Sequence, residues 1–208
     1  MFYSLEDFAK DTDVSRETLD LYQAWFEYLF KWNAKINLVA PKSIDDFWQR
    51  HALDSWQITK YIPQDIKTVV DFGSGAGFPA LAIAIEFKNR GAGDVTLFES
   101  VGKKANFLRT VIRELDLPAN VTADRIEQIT ATPTDLITAR AFAPLDKLLK
   151  YAEPFWKDDT IGLFHKGETI EQELTSAQKT WHFDKEEIPS LAAENSFILK
   201  VEHLRLKT

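Results

Sequence analysis

Apolar positions in the first third of the chain recur with the period of a helix. Leu21, Trp25, Tyr28 and Leu29 stand at i, i+4, i+7 and i+8. They make one apolar stripe, which predicts a helix over 17–30. Ser43 with Asp46 three residues later reads as a capping box for a second helix, running to Tyr61 and ended by Pro63. From Lys67 the period changes, and short β-branched runs alternate with helical stretches. Strands are predicted over 68–72, 94–99, 120–123, 135–139, 160–165, 180–188 and 196–204. Helices are predicted over 79–88, 102–115, 124–130, 145–156 and 169–179. Repeated βα units imply a mostly parallel sheet with helices on both faces. The last two strands have no helix between them, so they should pair antiparallel as a hairpin at one edge. The expected organisation is an N-terminal helical extension, 1–66, followed by an α/β domain, 67–208.

The turn after the first strand carries the most chemistry. Asp71-Phe-Gly-Ser-Gly-Ala-Gly-Phe-Pro79 places an acid at a strand end, then glycines at 73, 75 and 77. Without a Cβ, such a turn can be tight and a ligand can lie on its backbone. The N–H groups opening the next helix point the same way. Dinucleotide sites use G-x-G-x-x-G, but Phe78 stands where that third glycine would be. An acid before G-x-G-x-G is the pattern of S-adenosylmethionine (SAM) methyltransferases. Seven strands with a terminal hairpin match their class I, Rossmann-like shape. Asp71, Gly73, Ser74, Gly75, Gly77 and Phe78 are therefore candidate cofactor residues.

Composition narrows the setting. The chain has 208 residues, 45% of them hydrophobic, enough for a sizeable core. It has no cysteine, which excludes disulfides and thiolate metal sites, and its four histidines are scattered, so no metal is expected. No apolar run nears the ~18 residues of a membrane span, and the start is acidic and polar, so a cytoplasmic protein is expected. The net charge of −7 argues against coating RNA by electrostatics alone. It leaves room for one local basic patch.

Two more strand ends extend the site. Asp94 to Glu99 ends in an acid 22 residues after Gly77, where a carboxylate can accept from both ribose hydroxyls. Ile126 and Glu127 follow the third strand, where the adenine ring of such cofactors meets the protein. Glu127 could instead cap its own helix. Arg140 ends the fourth strand, where its guanidinium could hold a cofactor carboxylate, a phosphate or a base edge. A plain salt bridge to Asp71 or Glu99 is the alternative.

Six segments then point one way: Lys31-Trp-Asn-Ala-Lys-Ile-Asn-Leu38, Arg50-His-Ala-Leu-Asp-Ser55, Asp71 to Pro79, Glu99-Ser-Val-Gly-Lys-Lys-Ala-Asn-Phe-Leu108, Thr138-Ala-Arg-Ala-Phe-Ala143 and Lys166-Gly167. In this order they resemble the bacterial 16S ribosomal RNA guanine-N7 methyltransferases, the glucose-inhibited division protein B family. A small-molecule methyltransferase would share the glycine turn and Glu99 but not the Trp-Asn and Arg-His-x-x-Asp-Ser elements. The chain departs from the family pattern at Ala80, Ala139 and Ile126. The resemblance implies SAM as donor and N7 of a guanosine in the 530 loop (nucleotide 527) of 16S rRNA as acceptor. It carries cofactor contacts to Gly73, Phe78, Glu99, Ile126, Glu127 and Arg140. Arg140 is expected to position rather than to act as a base. Lys35, Arg50, His51, Lys103, Lys104, Arg125 and Lys166 are candidate RNA contacts, with bracing of the extension favoured for His51. Trp32 and Trp48 are expected in the core. The partner implied is 16S rRNA within the small subunit or an assembly intermediate, and a monomer is expected.

Overall fold

A computed structural model describes residues 3–207. Seven strands form one sheet: β1 (Thr68–Phe72), β2 (Asp94–Phe98), β3 (Ala119–Thr122), β4 (Leu136–Arg140), β5 (Ile161–Lys166), β6 (Trp181–Pro189) and β7 (Phe197–Leu206). Their order is β3-β2-β1-β4-β5-β7-β6. The first five are parallel, while β7 runs antiparallel to both β5 and β6. The chain reverses direction across the sheet at β1, whose neighbours are β2 and β4. Ligands of open α/β sheets bind beyond the carboxyl ends of the strands at such a point. The glycine turn leaves β1 there.

The helices cover two faces. Residues of α5 (Ala80–Arg90) and α6 (Gly102–Glu114) share one buried cluster with Tyr22, Trp25 and Leu29 of the extension. The other face holds a second cluster with α7 (Leu145–Ala152) and α8 (Ile170–Thr180). The extension therefore closes one side of the sheet's own core. Trp32 packs edge-on against Phe107 with centroids 5.8 Å apart, and Trp48 lies 5.1 Å from Phe47, so both serve the core.

The extension differs most from expectation. An additional helix, α1 (Leu5–Thr12), is opened by Ser4, whose side chain and that of Asp7 form a reciprocal capping box. Helix α2 (Arg16–Ile36) is longer than the apolar stripe, from the Ser15 cap to Asn37 in the left-handed region. The single helix expected over 43–61 is broken into α3 (Pro41–Ile44), a π-helical segment Phe47–Leu53, α4 (Asp54–Trp56) and a 3₁₀ turn Gln57–Tyr61. The expected capping box does not form. Pro41 starts the helix two residues earlier, so Ser43 lies inside it and its hydroxyl donates to the Ala40 carbonyl at 2.7 Å. A π segment of this kind is rare and concentrates at functional sites. Farther on, the helix expected over 124–130 reduces to the 3₁₀ turn Ile126–Gln128, and Pro154 turns the end of α7 into 3₁₀ geometry.

Candidate active site

Gly73, Gly75 and Gly77 have φ of +68°, +58° and +94°, which L side chains rarely adopt. Their surroundings differ. A Cβ on Gly73 would lie 2.6 Å from the Phe142 ring, and one on Gly77 would lie 2.3 Å from Leu81. A Cβ on Gly75 would meet only the Gly73 carbonyl, at 3.7 Å. Gly75 thus borders space that no described residue fills. The Gly73 and Ser74 N–H groups both donate to the Phe98 carbonyl, at 2.9 and 3.1 Å, which ties the turn to β2. Ser74 is buried with its hydroxyl on the Asp71 carbonyl, so its side chain braces the turn from within.

Asp71 lies fully buried beneath this turn. Its Oδ1 accepts from the Thr138 hydroxyl at 2.6 Å, while Oδ2 has no partner. Burial pushes its carboxyl up to about 7. Glu99 is the first residue beyond β2 and is also buried. Its two oxygens accept from Gly75 N at 2.9 Å and Val101 N at 2.7 Å. The acid read from the strand end is therefore held against the glycine turn by backbone alone.

Beside it a cavity of about 320 Å³ is lined by Ser100, Arg125, Ile126, Glu127, Phe142 and Tyr151. The Tyr151 hydroxyl donates to Glu127 at 2.7 Å, and this bond holds the Glu127 carboxyl below its usual range. Ile126 and Glu127 thus line one cavity with the loop after β4.

Arg140 joins the extension to the sheet. One guanidinium nitrogen donates to the Arg50 carbonyl at 3.2 Å and to His51 Nδ1 at 3.1 Å. The other lies 3.2 Å from Asp54 Oδ2 but off the hydrogen-bonding direction, so it makes an ion pair and no hydrogen bond. The salt-bridge partner is Asp54, not Asp71 or Glu99. Because arginine can only donate, His51 Nδ1 must be the acceptor, and the ring is neutral with its proton on Nε2. Burial lowers its pKa to about 3, in agreement. His51 also stacks on Phe78, with centroids 4.4 Å apart and an 8° interplanar angle, and Arg140 lies over the same ring at 5.3 Å. The Phe78 ring, reached also by Trp25 at 5.0 Å, is thus turned into the extension. Its peptide bond to Pro79 is cis.

The RNA candidates divide. Lys35, Arg50, Lys103 and Arg125 are exposed, and Lys104 is half-buried. His51 is buried against Phe78 and braces the extension. Lys166 is not free for a phosphate: its side chain is 7% exposed, with the ammonium on Glu173 at 2.7 Å and on the Ala143 carbonyl at 3.2 Å. Asn33 also braces, accepting the Val39 N–H at 2.8 Å.

Two residues of this region were not singled out as site residues from sequence. Asp54 lies within the segment Arg50–Ser55, where its neighbours in sequence carry no sign of its partners. His165 is the penultimate residue of β5, and its Nε2 lies 2.8 Å from the Asp54 carbonyl and 3.6 Å from Asp54 Oδ2. Asp54 Oδ1 also accepts from Gln57 at 2.9 Å. One carboxylate therefore links the extension to both β4 and β5. Among the described residues no helix is long and apolar enough to cross a membrane.

Known proteins resemble this chain to different depths. Residues 18–198 match the family profile described as GidB, rRNA small subunit methyltransferase G. The ribosomal RNA small subunit methyltransferase G of Hyphomonas neptunium is 45% identical over 197 residues, covering 95% of this chain and 93% of that protein. Its namesake from Rhodospirillum centenum is 44% identical over 198 residues, covering 95% and 90%. Among solved structures, M. jannaschii TYW2 in complex with AdoMet is similar in fold alone, with a TM-score of 0.57 at 15% identity over 84% of this chain and 80% of that one. With its profile match running from α2 to β7 and relatives aligned over nearly their full length, the chain belongs to the GidB family of rRNA small subunit methyltransferase G proteins.

Proposed function

We propose that this chain transfers the methyl group of SAM to 16S rRNA of the small ribosomal subunit, at N7 of a guanosine in the 530 loop (nucleotide 527), acting as a cytoplasmic monomer. The RNA class follows the names of its relatives. The observation that carries the cofactor reading is Glu99, a buried carboxylate pinned by the Gly75 and Val101 N–H groups at the edge of open space. The residues fit SAM in three ways. Gly75 leaves a cradle that a Cβ would fill. Glu99 has lone pairs left for ribose hydroxyls. Asp71 Oδ2 is a buried acceptor without a donor, of the kind a cationic ligand completes. Gly73, Gly75 and Glu99 would hold the nucleoside, and Ile126 and Glu127 would flank its base.

The sulfonium supplies a methyl group already activated for transfer. Guanine N7 offers a lone pair and carries no proton, so no residue of this chain has to act as a base. The protein's work is alignment of N7 with the methyl carbon, and well-oriented groups gain effective molarities on the order of 10⁵ M or more. Arg140 suits positioning. A donor placed on N7 would occupy the attacking lone pair, and this guanidinium is already committed to Arg50, His51 and Asp54. Labelled SAM incubated with undermodified small subunits, bare 16S rRNA or an assembly intermediate tests the reading. Label in RNA from one of these substrates supports it, and no label in any of them rejects it.

A further inference from the structure

A cavity of about 560 Å³ lies between the π-helical segment, the ends of β4 and β5, and the loop joining β6 to β7. Its lining includes Asp46, Gln49, Arg140, His165 and Ser196. The volume falls in the roughly 300–1,000 Å³ range of small-molecule sites. Through Arg140 it adjoins the glycine turn, since that guanidinium sits over the Phe78 ring.

Three cations line the cavity, but Arg140 is paired with Asp54 and Lys166 with Glu173, which leaves the exposed Arg50 for a backbone phosphate and Asp46 and Gln49 for a neutral group. Asp46 is half-buried, and its carboxylate makes no capping bond and no ion pair among the described residues. Gln49, three residues on, is exposed and equally uncommitted. At the β5 end, His165 donates from Nε2 to the Asp54 carbonyl, so its Nδ1 is a bare acceptor. That atom is buried without a partner in a side chain only 8% exposed. A free carboxylate repels phosphate, and phosphate has no N–H to give these acceptors. A guanine does: its N1–H and 2-amino group donate, and its O6 accepts.

We propose that this cavity is the subsite for the acceptor base. The guanine leaves its stack and enters with its Watson–Crick edge toward the π segment. Asp46 accepts from N1–H and the 2-amino group, and Gln49 donates to O6. The inference rests on the methyl-transfer reading above. Enzymes that act on a base commonly extrude it and read that edge. N7 lies on the side of the purine away from N1 and the 2-amino group, so this reading leaves the attacking lone pair free. Adenine would set its bare N1 against the carboxylate, which builds rejection into the same residue.

The test uses small subunits reconstituted with 16S rRNA carrying guanosine or inosine at the target position. Inosine keeps N7, O6 and N1–H and lacks only the 2-amino group. In the wild type, kcat/KM for guanosine should exceed that for inosine at least tenfold. In Asp46→Asn the ratio should fall to about threefold, and in Asp46→Ala to within twofold, with SAM affinity by calorimetry and the unfolding midpoint retained. A wild-type ratio near one overturns the proposal, as does a ratio unchanged in both variants. Failure of the wild type to methylate the guanosine RNA would instead strike the methyl-transfer reading itself.

Discussion

The Glu99 carboxylate accepts the Gly75 N–H at 2.9 Å, so the acid at the end of β2 and the glycine turn after β1 form one unit. With Val101 N on its other oxygen, the acid is oriented before any ligand arrives. Replacing Glu99 with alanine removes both the ribose acceptor and the clamp on the turn. Hydrogen bonds to a charged group are worth about 1.5–3 kcal/mol, so SAM affinity by calorimetry should fall at least tenfold. A SAM analogue lacking both ribose hydroxyls should lose several-fold less affinity in Glu99→Ala than SAM does, since it feels only the loss of the clamp. If it separates them as widely as SAM does, the ribose role is wrong.

The three glycines should fail in different ways. Gly75→Ala meets only a carbonyl at 3.7 Å, so it should lose SAM affinity at a modest stability cost of about 1–2 kcal/mol for its φ of +58°. Gly77→Ala drives a Cβ to 2.3 Å from Leu81 in the core, so it should lose stability first. Paired calorimetry and urea unfolding read both. Unchanged SAM affinity in folded Gly75→Ala would remove the cofactor from this turn.

Asp54→Ala should be costly, because it strands the Arg140 guanidinium in a site where its side chain is 20% exposed. Breaking one partner of a buried pair costs about 3–5 kcal/mol, and the loss of the Gln57 contact adds to it. Urea unfolding at neutral pH should show a fall toward the lower end of that range. A midpoint within experimental error of wild type would mean the pair holds nothing together.

RNA affinity should fall linearly in log–log plots against salt, by roughly 0.7–0.9 per phosphate contact. Lys35→Ala and Arg50→Ala, both at exposed cations, should each flatten that slope by up to about one unit while sparing SAM binding. Lys166→Ala should leave the slope alone and cost stability, since its ammonium is spent on Glu173. A flatter slope for Lys166→Ala with normal stability would reverse these assignments.

Local chemistry was legible in the sequence and distant pairing was not. The glycine turn, Glu99 and the βα alternation each depend on neighbouring residues, and the spacing of Asp71, Gly75 and Glu99 carried them. The π segment escaped because a 3.6-residue period cannot register a wider turn, and Ser43 with Asp46 imitated a cap that Pro41 pre-empts. Phe78 lay in the right turn, but its ring packs on His51, 27 positions earlier by number. Lys166 beside Gly167 looked like a free cation because its partner, Glu173, lies on the following helix. Asp54 was visible inside a motif yet silent, since its meaning comes from Arg140 and His165 on two strands far along the chain.

The central claim is tested most directly by locating the methyl group. Undermodified small subunits are incubated with the protein and SAM, and the 16S rRNA is digested, mapped by mass, and cleaved at N7-methylguanosine with borohydride and aniline. The account predicts one added methyl per RNA at N7 of the 530-loop guanosine, absent without SAM and reduced at least tenfold in Glu99→Ala. A methyl group on another atom or nucleotide, or equal transfer by Glu99→Ala, would contradict it.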